Sequence, residues 1–306
     1  MMPGSFAMIA NGAESPARFF ARMIPKITIA SLCAVLAAAA PARADELISI
    51  RGAPVAAEPV NAAAAQFKKD TGLEFRIVTD GGSAGAVGAL GEDVVDIALL
   101  SRKITPREFA SWPDKHFHEA QFGTQALLMV VPEQVWNAGV HALTKEQLRD
   151  IYEGQIKNWK TLGGQDRKIM FYNRDVRGSA WELFMAFLYD DTRKAPPSDA
   201  EVLVEPSDVT TAVEYNGGSI CFLEYAAPKP AAIHALGIRL PDGKVVEPTP
   251  ANIASGHYEL SRPLVIATAR KPAGKVRRFV EFMLGSAGQS FLKKTGHLSN
   301  ADLAEK

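Results

Sequence analysis

Short apolar strands alternate with helical segments in the first half of this 306-residue chain, and this alternation constrains its fold more than any other feature. Leu47–Arg51, Leu73–Thr79 and Asp96–Leu100 have the apolar or alternating patterns of strands. Helical patterns over Glu58–Asp70 and Gly85–Leu90 separate these strands. The pattern favours an α/β fold and predicts a mostly parallel sheet with helices on both faces.

Two long apolar strands, Gln125–Pro132 and Leu264–Thr268, are separated by a region with strands and helices of its own. A protein with two lobes needs two such strands, one that crosses into the second lobe and one that returns. The chain is 47% hydrophobic, which is sufficient for two cores. We therefore predict two α/β lobes joined by these strands.

Residues 1–44 have the pattern of a secretory signal peptide. Basic residues precede an apolar run over Ile27–Ala40, and a small-x-small cleavage pattern ends at Ala44. The mature chain would begin at Asp45, whether translation starts at Met1 or at Met23. We therefore expect an exported protein whose signal is removed near Ala44.

The charge and the motif content argue against several functional classes. Lysine and arginine together number 34, as do aspartate and glutamate, so no nucleic-acid partner is expected. The chain has no Walker lysine motif and no His–carboxylate arrangement of the nucleophilic type, which argues against an enzyme. His116 and His118 could form a metal pair, but the sequence pattern does not place a third histidine, cysteine or carboxylate with them, so no metal or cofactor is expected. Cys221 lies in an apolar run and is predicted to be a core residue.

Polar or glycine-rich loops follow the first three predicted strands. The first loop contains Ala53, the second contains Gly82 and Ser83, and Ser101 and Arg102 directly follow the third strand. Glycines let the backbone approach a ligand, hydroxyls donate to it, and a helix N-terminus presents unpaired N–H groups. Ligands of open α/β sheets bind at the carboxyl ends of strands, so these loops predict a site. Each loop alone is equally typical of an ordinary surface turn.

A fourth segment, 174-RDVRGSAWELF-184, adds two arginines and a serine before a helix. Arg174 and Arg177 could neutralise an anion, and Ser179 could donate to it from the first turn of the helix. An isolated arginine is more often a solvated surface charge. The four segments together predict a site for a small anion or a nucleotide.

Five segments, taken in order, have motifs that recur in one protein family. They are 81-GGSAG-85, 96-DIALLSR-102, 143-LTKEQLRDIYEGQIKNWKTLGG-164, 256-GHYELSRPL-264 and 285-GSAGQSFLKKTGHL-298. Through them the chain resembles the phosphate-binding proteins of bacterial Pst-type ABC importers, from about Leu47 to Leu298. The Asn158-Trp159 and Ser261–Leu264 motifs are the specific ones.

The resemblance implies a type II periplasmic-binding-protein fold, with two α/β lobes joined by two crossover strands. Lobe one would comprise residues 45–127 and 268–306, and lobe two would comprise residues 128–267. The resemblance further implies a periplasmic, monomeric binding protein that captures phosphate or a related oxyanion in an interlobe cleft. Its partner would be an ABC permease in the inner membrane, and it would be neither an enzyme nor dependent on a cofactor.

Several positions depart from the family pattern. The phosphate loop of the family is usually Arg-x-x-x-Ser-Gly-Thr, whereas Gly178-Ser179-Ala180 follow Arg174 at that spacing here. Ala53 and Pro54 replace hydroxyl residues of the first loop, and Leu100 replaces a frequent serine. Each hydrogen bond to a charged group contributes about 1.5–3 kcal/mol, so these changes predict weaker phosphate binding unless Arg177 compensates.

Two alternatives stay open at this stage. One is a divergent paralogue with a changed ligand, or with a sensing or partner-binding role. The other is a phosphate-ester hydrolase that uses the same cleft.

Overall fold

The computed structural model describes residues 46–304, except residues 192–193, 195 and 197–199. The predicted signal peptide over residues 1–44 lies outside the described residues. Within them, no helix is both long enough and apolar enough to cross a membrane.

The described residues form twelve strands and eleven α-helices. The strands are β1 Leu47–Gly52, β2 Glu74–Val78, β3 Ile97–Leu100, β4 His118–Pro132, β5 Ala142–Thr144, β6 Met170–Phe171, β7 Asn173–Arg174, β8 Val202–Leu203, β9 Ser219–Glu224, β10 Ile233–Arg239, β11 Val245–Val246 and β12 Ser261–Thr268. The helices are α1 Pro54–Thr71, α2 Gly82–Gly91, α3 Pro106–Ser111, α4 Glu133–Asn137, α5 Lys145–Tyr152, α6 Ser179–Tyr189, α7 Pro206–Tyr215, α8 Pro250–Ala254, α9 Gly274–Leu284, α10 Ser286–Lys294 and α11 Asn300–Ala304.

The main sheet has the strand order β11-β10-β4-β12-β3-β1-β2. Strands β2, β1 and β3 are parallel, as the strand–helix alternation predicts. Strand β12 is antiparallel to both β3 and β4, and β4 is antiparallel to β9 and β10. The prediction of a mostly parallel sheet is therefore wrong for the sheet as a whole. The reason is that β4 and β12 run in opposite directions and pair with each other at its centre.

Strand β4 connects two parts of the structure. It pairs with β12 as far as Ala126, and from Leu127 it pairs with β9 and β10. The chain returns in β12, because Leu260 packs in one hydrophobic cluster and Leu264 packs in the other. The two predicted crossover strands are confirmed, although β4 begins seven residues earlier than the apolar pattern indicates.

The two largest hydrophobic clusters lie on either side of this crossing. One surrounds α1 and α9 and includes Val60 and Phe279. The other surrounds α6 and includes Phe184 and Phe222, whose rings stack with centroids 4.3 Å apart. Burial of such side chains is the main stabilising contribution to each part, at about 25 cal/mol per Å² of apolar surface. Cys221 is buried in a smaller cluster, and burial raises the pKa of its thiol to about 12, as expected of a core residue.

The first residues of two helices differ from those that the sequence predicts. Helix α1 begins at Pro54 rather than at Glu58, because proline is well accommodated in the first turn of a helix. Helix α2 begins at Gly82 rather than at Gly85, so Gly82 and Ser83 belong to its first turn and not to a loop. Both changes bring helix N-termini directly to the ends of β1 and β2.

Candidate functional site

Ser83 and Ser101 are in direct contact. The backbone N–H of Ser101 donates to Ser83 Oγ at 3.0 Å, and the two hydroxyl oxygens are 3.2 Å apart. The contact forms because β2 and β3 flank β1 in parallel, so the segments after both strands meet at one edge of the sheet. Gly82 precedes Ser83 with φ +56°, a backbone conformation that glycine adopts without strain. The structure therefore brings the second and third predicted loops together.

Ala53 lies at the start of α1, but its backbone N–H already donates a hydrogen bond within the protein. Its backbone N–H donates to the carbonyl of Leu99 at 2.9 Å, and the residue is buried. The N–H of Ala53 therefore cannot donate to a ligand while this bond is intact.

Arg174 is a buried arginine at the end of β7. Its Nη1 and Nη2 donate to the carboxylate of Glu224 at 2.9 and 3.1 Å, and Nη2 also donates to the carbonyl of Val204 at 3.0 Å. Its Nε is buried and has no hydrogen-bond partner among the described residues. A buried donor without a partner is costly, by about 1–3 kcal/mol, and a bound acceptor would satisfy it.

Ser179 is the first residue of α6, and a network holds it there. Gln125 Nε2 donates to Ser179 Oγ at 2.9 Å, so the hydroxyl hydrogen of Ser179 is not used in that bond. Arg262 Nε donates to Gln125 Oε1 at 2.8 Å, and its Nη2 donates to the Ser179 carbonyl at 3.2 Å. The residues of this network lie on both crossover strands and on α6, which fixes the start of the helix relative to β4 and β12.

Arg102 and Arg177 each have a nearby carboxylate partner. Arg102 donates two bonds of 2.8 Å to Glu108, and its guanidinium lowers the pKa of that carboxyl to about 2. Arg177 is largely exposed and pairs with Asp175 at 2.7 Å, which lowers the pKa of Asp175 to about 2. Each guanidinium therefore has part of its charge neutralised by its own carboxylate partner.

Two adjacent cavities contain the Arg174 and Ser179 part of the predicted site. The first, of about 270 Å³, is lined by Arg174, Ser179, Glu58, Glu224 and His297 among others. The second, of about 440 Å³, shares Glu58 and Ser179 with the first. We refer to the two together as the cleft cavities.

Ser101 and Arg102 line a different cavity, of about 340 Å³, together with Leu183 and Phe187 of α6 and with Arg262. Predicted site residues thus form two groups: Ser83 with Ser101, and Arg174 with Ser179. Arg262 connects them, because it lines the cavity of Ser101 and donates to the carbonyl of Ser179.

Several lining residues were not among the sequence candidates. The sequence pattern places Glu58 at the start of a helix and gives it no role in binding. In the structure, partial burial and the charge of Glu224 raise the pKa of Glu58. Burial and the charge of Arg262 lower the pKa of His297 to about 4, so its imidazole is neutral at pH 7. Arg262 lies in the Ser-Arg-Pro-Leu motif, and that motif is a signal that could have identified it. His297 likewise lies in the segment 285–298 that resembles the family, whereas Glu224 lies in none of the five segments.

A metal site is not apparent at His116 and His118. Within the part of the chain that the structure describes, no group of three or more histidine, cysteine, aspartate or glutamate side chains could hold a metal ion.

The comparisons with known proteins agree on one family. The family model described as "PBP superfamily domain" matches residues 37–287. The phosphate-binding protein PstS of Borreliella burgdorferi is 27% identical over 223 residues, which cover 71% of this chain and 77% of that protein. The PstS of Bacillus subtilis is 25% identical over 262 residues, which cover 85% and 83%.

Solved structures agree with this fold. An ABC-type phosphate transport receptor from Vibrio cholerae has a TM-score of 0.62 at 25% identity, over 82% of this chain and 99% of that one. A possible phosphate binding protein from Planctomyces limnophilus has a TM-score of 0.72 over 83% of this chain and 92% of that one. Its identity of 23% supports the fold alone. The two α/β lobes and the crossover strands are those of the periplasmic-binding-protein fold.

Proposed function

Because the chain belongs to the PBP superfamily and is a divergent relative of the Pst-type phosphate-binding proteins, we propose that it is an exported solute-binding protein that captures phosphate or a related oxyanion for an ABC importer. The relatives are named as phosphate-binding or phosphate-transport proteins, which supports binding rather than catalysis as the role of this chain. In this proposal the signal peptide is cleaved near Ala44. The mature protein then acts in the periplasm as a monomer that delivers its ligand to a permease in the inner membrane.

The observation that carries the proposal is the environment of Arg174. Arg174 is only 6% exposed, yet its Nε has no hydrogen-bond partner among the residues that the structure describes, and the residue lines a cavity. Glu224 holds the other two nitrogens and thereby fixes the plane of the guanidinium. An oxyanion in the first cleft cavity would accept from Nε, from the hydroxyl of Ser179 and from the N-terminus of α6.

Ser83, Ser101, Gly82 and the Ala53 loop belong to the other half of the proposed site. In this proposal, closure of the lobes brings the Ser83–Ser101 pair towards the ligand held at Arg174. The hinge would be the paired strands β4 and β12. The lobe boundaries at residues 127/128 and 267/268 are part of the proposal. In the structure, side chains change from the cluster around α1 to the cluster around α6 between Phe122 and Ala126, and change back between Leu260 and Leu264.

One set of observations favours the alternative that the ligand is no longer phosphate alone. Arg102 and Arg177, which could have compensated for missing hydroxyls, pair with Glu108 and Asp175 instead. In addition, Glu58 and Glu224 give the first cleft cavity two glutamates beside its single arginine. These features support a divergent relative that has kept the fold and changed the ligand.

Isothermal titration calorimetry with phosphate, arsenate and sulfate tests the proposed function. We expect heat of binding with at least one oxyanion and a loss of affinity of roughly 10- to 100-fold in Arg174→Gln, which is the effect of one charge-assisted hydrogen bond. Since this variant leaves Glu224 buried without a partner, the double variant Arg174→Gln/Glu224→Gln serves as a second test. Arg277→Gln is the control, because that exposed side chain pairs with Glu281 on α9 and lines neither cleft cavity. Absence of heat with all three anions would overturn the proposal.

A further inference from the structure

Among the described residues, every charged side chain that lines the cleft cavities has a partner of opposite charge, except one. Three ion pairs account for the others, namely Arg174 with Glu224, Arg177 with Asp175, and Arg262 with Glu182. Among the described residues that line the two cavities, Glu58 is the only charged side chain without a partner of opposite charge. The cavities therefore have an excess of one negative charge before any ligand enters.

The position of Glu58 makes this excess relevant to a ligand. Its side chain projects from α1 and lines both cleft cavities, as does Ser179 at the start of α6. Partial burial and the like charge of Glu224 raise the pKa of Glu58, although its side chain remains exposed, and a cation close to it would favour its charged form. A simple phosphate dianion would add to this repulsion.

His297 contributes a hydrogen-bond acceptor to the same wall. Thr295 Oγ1 has a single hydrogen, and the carbonyl oxygens of Phe291 and Leu292 lie at 3.0 and 3.1 Å to accept it. The 2.9 Å contact between Thr295 Oγ1 and His297 Nδ1 is then donated by Nδ1–H. This assigns the neutral tautomer with a lone pair on Nε2. The side chain is only 2% exposed and lines the first cleft cavity, so the wall offers an acceptor rather than a donor.

We propose that the natural ligand is a zwitterion that carries an ammonium group next to its oxyanion, of the aminoalkyl phosphate or aminoalkyl phosphonate class. Its oxyanion lies against Arg174 Nε and the start of α6, and its ammonium group lies towards Glu58 and His297. This inference rests on the proposed function, since it names the ligand class for the same site. It explains why a binding site for an oxyanion contains an unpaired carboxylate and an imidazole acceptor.

Titration calorimetry with three compounds tests the inference on the full chain. These are inorganic phosphate, 2-aminoethyl phosphate and n-propyl phosphate, in which a methyl group replaces the ammonium group of the second compound. We expect 2-aminoethyl phosphate to bind roughly 10-fold more tightly than n-propyl phosphate, the effect of one charge-assisted hydrogen bond.

Two variants assign that preference to Glu58. In Glu58→Gln, which keeps the shape of the side chain and removes its charge, the ratio of the two affinities should fall close to one. In Glu92→Gln, a control at the exposed end of α2 and outside the cleft cavities, the ratio should equal that of the wild type. Thermal melts of both variants establish that they are folded.

The outcomes separate the two proposals. If phosphate binds and the two esters bind with equal affinity, the inference is overturned and the proposed function stands. A preference that persists in Glu58→Gln also overturns the inference. If none of the three compounds binds, and arsenate and sulfate do not bind either, both proposals fail.

Discussion

Arg174 illustrates at the scale of a single residue how a binding protein holds a charge inside its structure. Glu224 neutralises the guanidinium through two hydrogen bonds, and the carbonyl of Val204 accepts a third. Within the described part of the chain, Nε is the nitrogen of this guanidinium that lacks a partner. A buried ion pair of this kind contributes little net stability, whereas removal of one partner leaves a buried charge and is strongly destabilising.

The Arg174–Glu224 pair leads to a prediction for stability. Glu224→Gln removes the charge that neutralises Arg174, and we expect the free energy of unfolding to fall by about 3 kcal/mol, the lower end of the range for broken buried pairs. Urea denaturation followed by circular dichroism measures the change. Asp175→Asn is the matched control, because it breaks the pair with the exposed Arg177 and should cause a much smaller loss. Equal losses in the two variants would contradict the structural role assigned to Glu224.

Contacts between residues that lie far apart in the chain were only partly predictable from the sequence. The meeting of Ser83 with Ser101 follows from the rule that the carboxyl ends of neighbouring parallel strands share one edge of a sheet. The pairing of Arg174 with Glu224 does not follow from any local pattern, because the two residues are fifty positions apart and meet only when β7 and β9 are in place. Pattern analysis therefore identified the arginine and missed the carboxylate that orients it.

At the scale of elements, the contact between β1 and β3 shows how closely the first strands must approach. Gly52 ends β1, and a Cβ at this position would lie 2.3 Å from the carbonyl oxygen of Leu99. Because the neighbouring atom belongs to the backbone of β3, it cannot move aside cheaply. The glycine is thus required by the sheet itself and by the start of α1 that follows it.

Two alanine substitutions test this requirement. Gly52→Ala should lower the free energy of unfolding by at least roughly 1–3 kcal/mol, the usual cost of overpacking. Gly88→Ala in α2 is the matched control, since a Cβ there meets nothing within 4 Å and alanine favours a helix by about 0.5–1 kcal/mol. Thermal and urea denaturation measure both changes. A Gly52→Ala variant as stable as the wild type would show that β1 and β3 are not so close.

Elements with local signals were predicted best. Thr144 and Gln147 have the spacing of a capping box, which predicts a helix start at Thr144, and in the structure the Gln147 N–H donates to Thr144 Oγ1 at 3.1 Å. The pattern over Lys168–Tyr172 predicts one strand, whereas the structure has two short strands in this region, β6 and β7, which pair with β9 and β8. A cap depends on four neighbouring residues, whereas the length of a strand depends on the partner that the tertiary structure provides.

At the scale of the whole molecule, the segment after α10 contacts both parts of the structure. Leu298 exchanges two backbone hydrogen bonds with Thr124 of β4, at 3.0 and 2.8 Å, and its side chain belongs to the cluster around α6. Helix α10, which precedes the segment, packs against α1. His297 lies in this segment and is buried beside Arg262.

The buried His297 predicts how global stability depends on pH. Its pKa falls from 6.5 to about 4 on folding, so the unfolded chain binds this proton more readily than the folded one. Stability is therefore lost as the pH falls from about 6.5 to 4, by on the order of 3 kcal/mol at about 1.4 kcal/mol per pKa unit. In His297→Gln this part of the pH dependence should disappear.

Urea denaturation at several pH values between 4 and 7 measures the effect, with His116→Gln as the control because that histidine is exposed. The control should keep the pH dependence of the wild type. A His297→Gln variant with an unchanged pH profile would contradict the burial of this imidazole.

The amino-acid sequence by itself determined the α/β class, the two crossover strands, the helix cap at Thr144 and the positions of the polar segments at strand ends. These features depend on the periodicity of side chains and on bonds between near neighbours, both of which are present in a linear chain. Tertiary structure alone decided that β4 and β12 pair antiparallel, that Arg102, Arg174 and Arg177 each have a carboxylate partner, and that Glu58 has none among the described residues. Such charges and pairings depend on which distant residues burial brings together, and no local pattern encodes that.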